Sequence, residues 1–215
     1  PNGAGKTTCF HCLSGFATPD AGRIIFDGRE TTGEAPHRLA RSGIARTFQI
    51  VKPFRNLTAA ENVMVALGHR HYQGPAALLG SWRGRATRRA AVELLERVGL
   101  AAEADRKAGL LTLGMLKRLE MARALALEPR LILLDEPLGG LSHEEMRAAA
   151  DLIAGLRARG LTVILVEHQM RVAMALVDRV VVLDHGALIA SGPPERVQAD
   201  PKVIEAYLGE DAGLP

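Results

Sequence analysis

The chain has 215 residues, 47% of them hydrophobic, with 27 Lys and Arg against 24 Asp and Glu for a net charge of +3. That length holds one generous domain or two small ones around a buried core. The mild basic surplus and 4% aromatic content argue against the charged stripe and stacking platforms of a nucleic-acid binder, and no apolar run reaches the roughly 18 to 20 residues of a membrane-spanning helix.

The opening residues, PNGAGKTT, follow the phosphate-cradling pattern G-x-x-x-x-G-K-[ST] from its second position, with Pro1, Asn2, Gly3 and Ala4 in the free positions before Gly5, Lys6 and Thr7. The leading glycine would stand one residue before Pro1, behind a buried strand that aims the loop. KTTCFHCLSGF predicts a helix from Lys6 that closes near Gly15, its free N–H groups turned to the same anion as the loop amides. Cys9 and Cys12, the two cysteines, are expected as small buried residues of that helix rather than as a zinc or redox pair. GRIIFDG, 22–28, predicts a short strand and GIARTFQ, 43–49, a second extended run. Thr58 and Glu61 form a capping box that starts a helix through about Leu67.

Residues 68–89 shift towards Gly, Arg and His and predict a solvated loop, with Arg83, Arg85, Arg88 and Arg89 as a solvated face and His69 and His71 as surface residues. The loop feeds a helix, AAVELLERV, stopped by Gly99. A further helix is expected from Leu113 to Glu128, ended by Pro129. LILLDEP then places four apolar residues before Asp135 and Glu136, the pattern of a strand buried on both faces that delivers acids at its carboxyl end. Ser142 and Glu145 form a second capping box for a helix to about Arg159, and LTVILVEH predicts another doubly buried strand ending at His168. RVVVLDHGALIAS predicts a hairpin turning at His185-Gly186, and two short helices follow in PPERVQADPKVIEAYLGE. Strands alternating with helices imply an α/β fold with a mostly parallel sheet wrapped on both faces. Ligands of such sheets sit at the carboxyl ends of the strands, where Lys6, Asp135, Glu136 and His168 are expected to meet.

The chemistry of these residues suits a nucleoside triphosphate. Gly3 and Gly5 let the backbone curl around phosphate oxygens. The loop residues Asn2, Gly3, Ala4, Gly5, Lys6, Thr7 and Thr8 are the candidate nucleotide ligands, with the Lys6 charge on the β and γ phosphates and the Thr7 hydroxyl on Mg²⁺. Asp135 is the candidate metal carboxylate, acting through water. Glu136 is placed to take a proton from an attacking water.

PNGAGKTT, TFQ, LTLGMLKRLEMARALA, LILLDEP and VILVEH occur in the order found in the ATP-binding subunits of ABC transporters, and the chain resembles that family over its whole length. GIARTFQIVKPFRNLTAAENVMVAL and the tail SGPPERVQADPKVIEAYLGE are similar to the ATPases of branched-chain amino-acid importers of bacteria and archaea. The resemblance implies a P-loop NTPase (RecA-like) core, formed by residues 1–57 and 129–215, with a smaller α-helical subdomain, 58–128, that carries the signature motif and grips the permease. It implies ATP and Mg²⁺ as cofactors. Gln49 matches the glutamine that touches the metal and the attacking water, and His168 matches the switch histidine at the γ phosphate. LTLGM matches the signature L-S-G-G-Q, so that Thr112, Leu113, Gly114 and Met115 would cover the nucleotide of a second ATPase subunit. Met115 departs from the family's glutamine. Ser142 stands where relatives carry Asp or Asn.

The implied protein powers an importer from the cytoplasmic face of the inner membrane, bound to permease subunits and served indirectly by a periplasmic binding protein. Relatives carry about two strands and an adenine-stacking aromatic residue ahead of the loop, so a fragment lacking its N-terminal strands is the expectation. A soluble non-transport ABC ATPase and a truncated cassette without activity are the alternative readings.

Overall fold

A computed structural model describes residues 3–68 and 84–208; Pro1, Asn2, His69, His71 and Arg83 lie outside the described residues. In chain order the elements are α1 (Lys6–Leu13), β1 (Ile25–Phe26), β2 (Arg29–Glu30), α2 (Pro36–Ser42), β3 (Ile44–Arg46), α3 (Ala59–Leu67) and α4 (Arg85–Arg97). There follow α5 (Leu113–Leu125), β4 (Leu131–Asp135), α6 (His143–Ala158), β5 (Thr162–Val166), α7 (Met170–Leu176), β6 (Val180–Asp184), β7 (Ala187–Gly192), α8 (Pro194–Gln198) and α9 (Pro201–Leu208). They divide into two compact units, Pro1–Glu34 with His168–Pro215, and Ala35–Glu167. No helix among the described residues is long and apolar enough to cross a membrane.

The second unit is built on a parallel sheet in the order β3-β4-β5. Every residue of β4 is buried, because a strand paired on both edges and covered by helices has no wet face, and its run of branched aliphatics suits that setting. Register sets Arg46 beside Leu133 and Asp135 beside Val166, so the carboxyl ends of β3, β4 and β5 share one edge. The core runs from Ile132, Leu133 and Leu134 into Leu119 of α5, Leu95 of α4 and Val63 of α3, all fully buried.

Local signals act where the sequence placed them. Thr58 caps α3 and Ser142 caps α6, each with both hydrogen bonds of the capping box. Gly99 and Gly160, just past the ends of α4 and α6, have φ of 69° and 88°, the left-handed geometry that stops a helix.

In the first unit, β6 and β7 form the expected hairpin, with His185 and Gly186 at φ of 45° and 81°. Two successive positive φ values make the type I′ turn that matches strand twist. Asp27 and Gly28 repeat this at φ of 53° and 74° between β1 and β2, a second hairpin where the sequence suggested a lone strand.

Four expectations are corrected. Strand β5 is not doubly buried: Thr162 and Ile164 are exposed while Val163 and Leu165 are half-buried, since among the described strands β5 is the sheet edge. Helix α4 starts at Arg85, not after Arg89, and its arginines stay solvated while Arg88 pairs with Asp105 at 2.7 Å and Arg89 with Glu93 at 3.1 Å. Helix α5 stops at Leu125, short of Glu128, and the chain leaves through a tight turn with Glu128 at φ 50° ahead of Pro129, which cannot continue a helix. Cys9 is exposed and Cys12 half-buried, because the inward face of α1 belongs to Phe10.

Leu133→Ala empties the centre of this core and is expected to cost about 2 to 5 kcal/mol. Ile164→Ala, at a side chain 38% exposed, should cost less than half as much in the same denaturant titration.

Candidate functional site

In the first unit, Gly3 and Gly5 hold φ of 77° and 90°. This doubly left-handed path turns Ala4 inward, to 2% exposure, and its carbonyl accepts the Gly186 N–H at 3.2 Å. The tip of the β6–β7 turn therefore props the loop. Helix α1 begins at Lys6 with no side-chain cap, and its N-terminal dipole favours an anion. Thr7 and Thr8 are exposed and Lys6 half-buried. His168 is exposed just after β5, and its carbonyl accepts the Met170 N–H at 2.9 Å.

In the second unit, the carboxyl ends of β3 and β4 are tied by two side-chain contacts. Arg46 Nη2 donates to Asp135 Oδ2 at 2.8 Å, with both side chains 5% exposed. Three residues further along, Gln49 Nε2 donates to Glu136 Oε2 at 2.8 Å. Glu136 extends the β4–β5 ladder through its N–H to the Val166 carbonyl, yet its φ is 47°. A left-handed glutamate is strained by about 1 to 2 kcal/mol. It is held there by Lys117 of α5, whose Nζ donates to the carbonyls of Glu136 at 2.8 Å and Gly139 at 2.6 Å. Glu167 completes the clamp by accepting the Leu138 N–H at 2.6 Å.

Helix α5 also holds the Gln49 loop. Glu120 accepts the Phe48 N–H at 3.0 Å, and Arg123 donates to the Lys52 carbonyl at 3.2 Å. Burial pushes the Glu120 carboxyl up to about 7, opposed by the Phe48 N–H and the charges of Arg123 and Lys117. Burial also lowers Lys117 and Arg123 against the carboxylates around them.

Helix α5 opens at Thr112, whose hydroxyl accepts the Met115 N–H at 3.3 Å. Leu113 is 48% exposed, and Gly114 is buried. A Cβ on Gly114 would stand 2.4 Å from Glu145 Oε1. Glu145 is fixed in turn, since its carboxylate accepts the Ser142 N–H at 3.0 Å and the Ser142 hydroxyl accepts the Glu145 N–H at 3.3 Å. Those bonds hold the Glu145 carboxyl below its ordinary range. Ser142 is thus engaged as a helix cap.

Among the candidates, the structure joins Gln49 to Glu136 and sets Asp135 against a residue the sequence did not single out. Lys6, Thr7, Thr8 and His168 belong to the first unit; Gln49, Asp135, Glu136, Thr112, Gly114 and Ser142 belong to the second. Arg46, Lys117, Glu120 and Glu167 were missed. The one available signal was a charge at positions the helix or strand pattern would bury, which marks Arg46 in GIARTFQ and Glu120 in KRLEMARAL.

The model of the ABC transporter family matches residues 1–139. The chain belongs to the ABC transporter ATP-binding family. A second family model, the branched-chain amino acid ATP-binding cassette transporter, matches residues 187–213. The high-affinity branched-chain amino acid transport ATP-binding protein BraF of Pseudomonas aeruginosa is 45% identical over 98% of this chain and 85% of its own length. LivG of Escherichia coli, named for the same transport, is 41% identical over the same shares. Among solved structures, an ATP-binding cassette of an ABC transporter in its ADP conformation is 31% identical, with a TM-score of 0.83 over 97% of this chain and 85% of that one. A cassette captured as a dimer after hydrolysis, bound to ADP and Pi, has 28% identity and a TM-score of 0.76 over 90% of this chain and 82% of that one. The α/β fold is therefore that of the nucleotide-binding cassettes, and the chain is an ATPase subunit.

Two features of this cassette are open to measurement. Gly114→Ala should evict the Glu145 carboxylate and break the α6 capping box, costing about 1 kcal/mol, read by thermal or denaturant unfolding. Glu120 has a folded-state value of about 7 against an ordinary 4.5, so between those pH values the folded chain binds more protons than the unfolded one. Stability then falls as pH rises through that window, by about 3 kcal/mol in all. Glu120→Gln should flatten that part of the curve in unfolding titrations at pH 5 and pH 8.

Proposed function

We propose that this cassette binds and hydrolyses ATP to drive an importer of branched-chain amino acids. Similarity to BraF and LivG over 98% of the chain supports the cargo. The observation that carries the chemistry is the Gln49–Glu136 contact at 2.8 Å. It puts an amide beside a carboxylate at the carboxyl edge of a parallel sheet, where ligands of such sheets are bound. In this reading Glu136 takes the proton of the attacking water, Gln49 orients that water, and His168 contacts the γ phosphate. Asn2, Gly3, Ala4, Gly5, Lys6, Thr7 and Thr8 cradle the phosphates.

The donor set suits magnesium. Among the described residues no group of three or more His, Cys, Asp or Glu could hold an ion, and Mg²⁺ characteristically rests on one or two carboxylates with phosphate oxygens and water. Asp135, the Thr7 hydroxyl and Gln49 would hold it. Bound there, the ion would neutralise charge on the phosphates. Asp135 is buried and its carboxylate is paired with the Arg46 guanidinium at 2.8 Å, at the carboxyl edge of the sheet where the metal would be held.

Residues 1–57 and 129–215 would form the nucleotide-binding core and 58–128 the helical part that engages the permease. A second ATPase subunit would present Thr112, Leu113, Gly114, Met115 and Ser142 to the nucleotide held by the first, as the dimeric relative suggests. The assembly would sit peripherally on the cytoplasmic face of the inner membrane, supplied by a periplasmic binding protein, with no role for nucleic acid. In vesicles containing the permease, Glu136→Gln should lower ATP hydrolysis at least about 10²-fold and leucine uptake with it, while nucleotide binding is retained. Unchanged hydrolysis removes Glu136 from its role; hydrolysis without uptake of leucine, isoleucine or valine in the parent removes the cargo.

A further inference from the structure

The buried pair of Arg46 and Asp135 has a consequence for metal entry. Arg46 closes β3 and Asp135 closes the adjacent β4, so parallel pairing fixes both at one sheet edge. Their contact is 2.8 Å and each side chain is 95% withdrawn from solvent. The guanidinium also lies 5.2 Å from the centroid of the Phe48 ring, a cation–π stack that limits its movement. At such burial the Arg46 guanidinium is the cation built in beside the Asp135 carboxylate, and two cations serving one carboxylate in a low dielectric repel each other.

We propose that Arg46 is a positioning residue that serves as the resident counter-cation of Asp135 and competes with the magnesium of the incoming nucleotide for that carboxylate. The proposal rests on the assignment of Asp135 as the metal acid. Arg46 thereby does two things at once. It holds the carboxylate in place while no metal is bound, and it weakens the hold on Mg²⁺, so that the ion is exchanged with each nucleotide rather than retained. The guanidinium is suited to this because its positive charge meets the carboxylate through one directed bond, Nη2 to Oδ2.

The test is a Mg²⁺ titration of fluorescent ATP-analogue binding, with melting temperature as a second readout, on the parent, Arg46→Gln, Arg46→Lys and Asp135→Asn. Arg46→Gln removes the charge and keeps a donor. It should melt lower than the parent without metal, reach half-saturation at about fivefold lower Mg²⁺ or less, and regain most of the lost melting temperature with Mg²⁺ and nucleotide. Arg46→Lys keeps a cation and should stay within about twofold of the parent in Mg²⁺ requirement. An unchanged or higher Mg²⁺ requirement in Arg46→Gln overturns the proposal, as does a variant that fails to fold even with Mg²⁺ nucleotide present. If Asp135→Asn leaves the parent's Mg²⁺ dependence intact, it is the assignment of Asp135 that fails.

Discussion

Asp135 ends a strand in which every residue is buried, and a carboxylate delivered into such surroundings needs a cation or hydrogen-bond donors beside it. That requirement organises the second unit. The cation cannot come from the same strand, because residues of β4 alternate between two covered faces. It comes from Arg46 at the end of the neighbouring strand, and parallel pairing makes this possible by bringing both carboxyl ends to one edge. The same pairing carries Gln49 to Glu136. An antiparallel arrangement of β3 and β4 would have sent Gln49 to the far side of the sheet.

The loop beyond β4 is held by more than its own backbone. Glu136 occupies a left-handed conformation that its Cβ disfavours, and Lys117 and Glu167 hold its carbonyl and the residues just after it. Lys117 stands on α5, the helix that opens at Thr112 and also grips the Gln49 loop through Glu120 and Arg123. One rigid helix thus touches both loops that carry the proposed catalytic side chains.

Local chemistry was legible in the sequence. Thr58 with Glu61 and Ser142 with Glu145 specify helix starts because the capping box needs only residues three apart, and His185-Gly186 specifies a turn because few dipeptides accept two positive φ values. The apolar run LILL marked a strand buried on both faces, as β4 is. What stayed hidden were contacts between residues distant in the chain: Arg46 with Asp135, Phe48 with Glu120, Lys117 with Glu136. No period or spacing encodes them, since each depends on which strand lies beside which and on how α5 crosses the sheet edge. The burial of β5 was misjudged for the same reason. LTVIL has the composition of a central strand, and only the order β3-β4-β5 reveals it as the edge of the described sheet.

Glu120 shows how such a contact is weighed physically. A leucine in its place would fill the same interior position of α5 without the desolvation of a carboxyl group that drives Glu120 up to about 7. It would also leave the Phe48 N–H without its acceptor and remove a counter-charge from Arg123 and Lys117, which reach the Lys52 carbonyl and the Glu136 loop. The helix would gain stability by itself and lose its grip on the Phe48 N–H, while Arg123 and Lys117 kept their backbone bonds without the Glu120 charge beside them. A buried glutamate therefore makes sense as a fastener: its cost is local to α5, whereas the order it imposes is felt at Gln49 and Glu136, one residue beyond each of the groups that α5 and β3 hold in place.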